Sequence, residues 1–193
     1  NGGAIVVWKT NTQSILGKFL RSDGTVEPIA RVGEESIHST ENYLAPLDVT
    51  RNENGGAIVV WGEANIDNTE GEISARFIGS DGIVDPEIEI YNSNNIFFIN
   101  STIVSTIDGS NGAIVIWIEN YFDIINQRIF AKFLRADGTF SPEPILIQDE
   151  EGEISFIDVT TDGSGGAVII WKDTSSIFGK FLRSDGTLSE TFL

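Results

Sequence analysis

The chain has 193 residues, 40% of them apolar, with five prolines, and its 29 acidic against 12 basic side chains give a formal charge of −17. That length and apolar share predict one domain with a real core, not a disordered chain, and the charge repels nucleic-acid phosphates and anionic lipid, so no nucleic-acid partner is expected. Cysteine is absent, which excludes disulfides, thiolate metal sites and cysteine nucleophiles, and no apolar run approaches the roughly 18 to 20 residues that membrane insertion needs.

The chain opens on "NGGAIVVW", ending at Trp8, a β-branched apolar run bounded by Gly and Asn that reads as a strand covered on both faces, here named B. "GKFLRSDGT" (Gly17 to Thr25) follows as strand C, its Asp-Gly a hairpin signal, and "TVEPIARV" is strand D. After the loop "RVGEESIHSTENYL", the segment "PLDVT" (Pro46 to Thr50) is strand A of the next unit, joined through "NENGG" to a B strand ending at Trp61. The words then repeat. "ARFIGSDGI" (Ala75 to Ile83) and "IVDPEIEI" are C and D, and "STIVST" (Ser101 to Thr106) leads through "DGSNG" to Trp117. "AKFLRADGT" (Ala131 to Thr139), "TFSPEPILI", "FIDVT" (Phe156 to Thr160), "DGSGG", Trp171 and "GKFLRSDGT" (Gly179 to Thr187) complete the series. The tryptophans are 53, 56 and 54 residues apart, a fixed period that marks a repeat architecture.

Each unit is thus predicted to be an antiparallel meander of four strands, and a sheet with two apolar faces must stack on its neighbours. The pairing of "GGAIVVW" with "GKFLRSDGT" resembles the tandem β-propeller repeats of secreted bacterial and archaeal surface proteins, and the resemblance covers the whole chain. It implies an all-β, four-bladed β-propeller, the smallest ring, of hemopexin-like size, with repeats at 1–42, 43–98, 99–152 and 153–193. The tryptophans are expected between blades. Lys18, Arg21, Arg76, Lys132, Arg135, Lys180 and Arg183, recurring on the C strands, are expected to form salt bridges with the acidic surface.

Strand A occurs three times where B, C and D occur four times, so the first blade is expected to lack its inner strand. The start inside a repeat, without Met, reads as a processed or truncated product, with signal-peptide removal one cause. An unpaired edge along Ala4, Ile5, Val6, Val7 and Trp8 would invite another chain's strand. A neighbouring copy entering the gap would build a filament or surface layer; a strand cut away from the chain would leave the same gap.

The two ends of the ring differ. From Thr50, Thr106 or Thr160 to the next Trp is always 11 residues, whereas Trp to the strand-C Phe takes 11, 16, 16 and 10. The variable end holds Tyr43, Tyr91, Phe97, Phe98, Tyr121 and Phe122 among Asn, Asp and Glu, a candidate face for glycans or cell-surface proteins unless those rings fold back over their own blades. Asn100-Ser101-Thr102 is a glycosylation sequon.

Little points to catalysis. His38 is the lone histidine, expected as solvated surface, so Ser-His-Asp chemistry and a histidine metal cluster are excluded. Asp48 and Asp158 occupy equivalent inner positions and could act as acid and base or bind a cation, or could cap nearby backbone. Asp108-Gly109-Ser110-Asn111 and Asp162-Gly163-Ser164 are oxygen-rich turns that could take calcium but lack a complete calcium loop. The sequence is therefore expected to encode an extracellular, non-enzymatic, self-assembling structural protein without a cofactor, the alternative being a carbohydrate- or protein-binding module of lectin or adhesin type.

Overall fold

Strand-forming and turn-forming residues alternate along the chain, and the computed structural model, which describes residues 3–11, 13–29, 36–65, 70–94, 102–120, 127–149 and 153–192, turns them into four antiparallel sheets. The first holds β1 (Gly3–Lys9), β2 (Ser14–Arg21), β3 (Val26–Pro28) and β4 (His38–Ser39), with β3 and β4 both pairing to β2. The second runs β5 (Tyr43–Arg51), β6 (Ala57–Ala64), β7 (Glu70–Ile78), β8 (Ile88–Asn94), and the third β9 (Ile103–Ile107), β10 (Ala113–Asn120), β11 (Gln127–Leu134), β12 (Ile145–Gln148). The fourth is β13 (Phe156–Thr161), β14 (Ala167–Lys172) and β15 (Ile177–Leu182), with strand D reduced to bridges at Leu188 and Phe192. The A-B-C-D order holds in the second and third sheets. In the first, β1 is the edge strand, and among the described residues no strand pairs along its other side. No described helix is long and apolar enough to cross a membrane.

Two turns recur because each solves a local hydrogen-bonding problem. At the A to B turn, the Oδ1 of Asn52, Asp108 and Asp162 accepts the backbone N–H two and four residues on, at 2.7–3.1 Å. The fourth residue on is Gly56, Gly112 or Gly166, where a Cβ would lie 2.0–2.3 Å from the carbonyl oxygen of Ile78, Leu134 or Leu182. The C to D turn closes with Asp23, Asp137 or Asp185 accepting from the Thr two residues later, and its glycines, such as Gly24 at φ 85°, occupy the left-handed region. The Asp-Gly words are therefore turn chemistry.

Alternate residues of each sheet face opposite neighbours. One apolar cluster joins the first sheet to the second (Ile5, Val7, Ile15 and Phe19 against Val59, Trp61 and Ile78), and another joins the second to the third (Ile58, Val60 and Ala75 against Val115, Trp117 and Leu134). A third joins the third to the fourth (Ile114, Ile116 and Phe133 against Ile169, Trp171 and Leu182). Trp61, Trp117 and Trp171 thus wedge between sheets, as expected. Closure does not follow, however: among the described residues no apolar cluster joins the fourth sheet to the first, and Trp8 is partly open to solvent. Among the described residues the sheets share three apolar interfaces, so they form an arc where a closed four-bladed ring lacking one inner strand was expected.

The strand-C cations find different partners: Arg135 lies over the Phe133 ring and Arg183 Nη1 donates to the Thr187 hydroxyl. Arg21 pairs with Glu27 at 2.5 Å and Arg76 with Glu87 at 3.0 Å, as expected of salt bridges. The lysines do otherwise. Lys132 Nζ donates to the Ile90 carbonyl at 3.0 Å and Lys180 Nζ to the Ile147 carbonyl at 2.6 Å, each reaching back to the outer strand of the preceding sheet. A buried carbonyl with a spare lone pair is the available acceptor there.

Candidate functional site

The variable end of the second sheet carries the site. β6 and β7 pair so that Glu63 stands directly opposite Glu72, and Glu70 lies two residues before Glu72, on the same face of β7. With Asn42, Asn65 and Asn92 these carboxylates line one cavity, which Ala64 and Gly71 also border.

Glu63 is held from several directions. The Trp61 Nε1–H donates to its Oε1 at 3.0 Å, Asn42 Nδ2 donates to its Oε2 at 3.4 Å, and His38 Nε2 sits against Oε1. His38 lies on β4 of the preceding sheet, its ring 4.7 Å from that of Trp61, and its Nδ1 meets Glu87 Oε2 at 3.0 Å. Glu87 in turn accepts from Arg76 Nη2 at 3.0 Å. Burial alone would depress the His38 pKa, but hydrogen bonds to Glu63 and Glu87, together with their charges, raise it to about 9. Burial would raise Glu63, yet the His38 and Trp61 hydrogen bonds and the imidazolium charge lower it to about 2. Glu87 is likewise lowered, its burial outweighed by His38 and Arg76.

Although His38, Glu63 and Glu87 bring ligand atoms within 4.8 Å of one another, the arrangement suits a proton better than a metal ion. The two imidazole nitrogens point away from each other and each meets a different carboxylate, while Arg76 adds a second positive charge at Glu87. Two cations thus balance two anions.

Glu72 has the opposite electrostatics. Its burial raises its pKa, an effect only partly offset by the Ser74 hydroxyl donating to Oε1 at 2.6 Å, and the charges of Glu89, Glu63 and Glu87 push it higher. Two facing carboxyls are therefore driven apart, one held ionised and the other towards its neutral acid, the pattern that separates acid from base in carboxylate chemistry.

The sequence expectations fare unevenly. His38 is not solvated surface: its side chain is nearly enclosed, because Trp61 and Glu63 of the next sheet give it a stacking partner and a counter-ion. Tyr91 repeats that device one sheet on. Its ring lies 5.1 Å from Trp117 and it hydrogen-bonds Glu119, whose carboxylate also accepts from Trp117 Nε1 at 3.1 Å, so Tyr91 packs between sheets. Tyr43 is exposed beneath Lys9 and paired in register with the cavity residue Ala64. Phe97, Phe98, Asn100, Tyr121 and Phe122 lie outside the described residues. Asp48 and Asp158 are not a working pair: Asp48 Oδ2 accepts the N–H and hydroxyl of Ser105 at 2.6 and 2.7 Å, strapping the second sheet to the third, while Asp158 Oδ1 accepts its neighbour Val159 N–H. The residues missed were Glu63, Glu70 and Glu72. "WGE" at 61–63 and "WIE" at 117–119, a repeated Trp-x-Glu, were the available signal.

No protein-family model matches the chain, and no curated protein does. Among solved structures, an α-L-arabinanase of Penicillium chrysogenum in complex with arabinobiose aligns over 98% of this chain and 58% of its own, at 12% identity and TM-score 0.56. An endo-arabinase of Bacteroides thetaiotaomicron aligns over 98% and 76%, at 13% identity and TM-score 0.55. Regucalcin, a calcium-binding protein of Agrobacterium tumefaciens, superposes at TM-score 0.44 with 13% identity, over 98% of this chain and 59% of its own. The chain therefore spans 58% of the first of these neighbours. What the first two share with this chain is the all-β fold of β-propeller kind. The first two neighbours are enzymes, which overturns the expectation of a non-enzymatic protein: lack of a histidine triad or a cysteine does not remove catalysis from a fold that can present paired carboxylates.

Proposed function

We propose that this chain is a glycan-active domain whose cavity at the variable end of the second sheet binds a sugar and cleaves its glycosidic bond with two carboxyl groups. The observation that carries the reading is the Glu63–Glu72 pair, facing each other across β6 and β7 in an amide-lined cavity with their pKa values driven apart. The arabinan-directed names of two neighbours with the same fold supply the substrate class by analogy.

In this reading Glu63 is a fixed charge, because its oxygens are already engaged by Trp61, His38 and Asn42. Its negative charge adds to the burial that raises the Glu72 pKa, favouring the neutral acid. Glu72 then gives its proton to the glycosidic oxygen as the bond to the anomeric carbon breaks. Glu70, exposed and two residues along the same strand face, takes a proton from the water that attacks that carbon. With one carboxyl as acid and the other as base toward water, the displacement is a single step, so inversion at the anomeric carbon is the expected outcome. One water is consumed, and one new hydroxyl appears on each fragment.

The test is product release from arabinan and arabino-oligosaccharides, with the first-formed anomer read by NMR. Glu72→Gln and Glu70→Gln should each lower turnover by at least about a hundredfold while leaving sugar binding in place. Full turnover in Glu72→Gln, or retention of configuration, would refute the assignment.

A further inference from the structure

The two terminal faces of the arc are unfinished in complementary ways. The face that each sheet presents to the sheet before it has the same four positions: Ala57, Val59, Trp61 and Ile78 in the second, Ala113, Val115, Trp117 and Leu134 in the third, and Ala167, Ile169, Trp171 and Leu182 in the fourth. All twelve are buried. The first sheet has the same set, Ala4, Val6, Trp8 and Leu20, in the same register, yet Val6 is 48% exposed, Leu20 44% and Trp8 36%.

At the other end the pattern is reversed. Phe133 and Ile116, on the face that the third sheet presents to the fourth, are buried, whereas their counterparts Phe181 and Ile170 on the fourth are 43% and 36% exposed. From the chain itself, Phe192 lies over Gly179 there and leaves Phe156 and Ile177 open. Isolated apolar residues on a surface need no explanation, but two contiguous sheet faces built to a pattern buried three times elsewhere in the same molecule mark an interface.

We propose that two copies of this chain close head to tail into one ring of eight sheets, the first sheet of each copy stacking on the fourth sheet of the other. Continuity with the existing interfaces selects the occupant. What the open first face fits is the Ile-Phe face that its own counterparts pack against, and the fourth sheet supplies that face. The lysine pattern agrees: Lys132 and Lys180 each reach an outer-strand carbonyl of the preceding sheet, and Lys18, at the corresponding register position, is exposed. Eight sheets lie at the upper end of the usual range for propellers. Stacking of faces also answers a larger apolar deficit than does pairing along the free edge of β1.

The test is native mass spectrometry and light scattering of the chain, with Val6→Glu and Phe181→Glu made separately. Both substitutions fall on exposed positions, so each variant should keep the strand signal and melting temperature of the folded monomer. The unaltered chain should run at twice its 21.0 kDa mass, and each variant alone at the single mass. An equimolar mixture of the two should regain the doubled mass, because one intact first face and one intact fourth face remain between them. A single-mass unaltered chain overturns the proposal and leaves those faces to sheets from another source. Pairing of either variant with itself overturns the head-to-tail arrangement.

Discussion

Replacing His38 with Asn removes the imidazolium that bridges Glu63 and Glu87 while keeping a polar side chain of similar reach. In the folded protein the His38 pKa is raised to about 9 from an ordinary 6.5. A raised basic pKa means that protonation favours the folded state, so this stabilisation is fully present below pH 6.5 and is lost as pH rises through 9. At about 1.4 kcal/mol per factor of ten, the displacement sets a ceiling of roughly 3 kcal/mol, and solvent screening at the partly exposed Glu87 reduces it to about 1 to 2 kcal/mol. Glu63 reports the same contact from the acid side: its pKa is lowered to about 2, so its contribution is present above pH 4.5 and lost as pH falls through 2. The two figures describe one pair and do not add. Urea unfolding at half-unit intervals from pH 6 to 9.5, for the unaltered chain and His38→Asn, isolates the effect, because every other titrating group is common to both. The unaltered chain should lose about 1 to 2 kcal/mol more than the variant across that range. Parallel curves would refute the bridging imidazolium.

Three further outcomes follow from the packing. Trp117→Ala, at a fully buried wedge, should cost about 3 to 5 kcal/mol in urea unfolding, and Trp8→Ala clearly less, because Trp8 is already partly in water. Asp48→Ala should cost about 1.5 to 3 kcal/mol by removing the Oδ2 that accepts both Ser105 hydrogen bonds, whereas Asp158→Ala should be nearly silent; equal effects would contradict the inter-sheet strap. Gly112→Ala should destabilise by at least about 2 kcal/mol, since its Cβ would meet the Leu134 carbonyl at 2.3 Å, while Gly24→Asn, in open space at φ 85°, should cost under about 1 kcal/mol by thermal melting.

The repeating strands and turns were legible because each depends on local chemistry. A β-branched run ending in Trp, an Asp-Gly turn and an Asx-capped Gly specify their own backbone wherever they occur. Closure was not legible. Whether the Val6 and Phe181 faces meet depends on the angle accumulated over three sheet interfaces, which no single phrase of sequence contains. The site was hidden for a related reason: Glu63 and Glu72 are nine positions apart and become partners only through the β6–β7 register. His38, in an acidic loop by sequence, acquires its role from Trp61 and Glu63, side chains of a different sheet. Tyr91 likewise looked like a surface ring until the third sheet supplied Trp117 beneath it.

The central claim is that a sugar enters the cavity between Asn42 and Asn92. An NMR titration of the isotope-labelled chain with arabinobiose tests it most directly. Backbone shifts should concentrate at Asn42, Glu63, Ala64, Asn65, Glu70, Gly71, Glu72 and Asn92, saturating with sugar concentration, and should shrink in an Asn92→Ala variant. A spectrum unmoved at millimolar sugar, or shifts confined to other sheets, would contradict it.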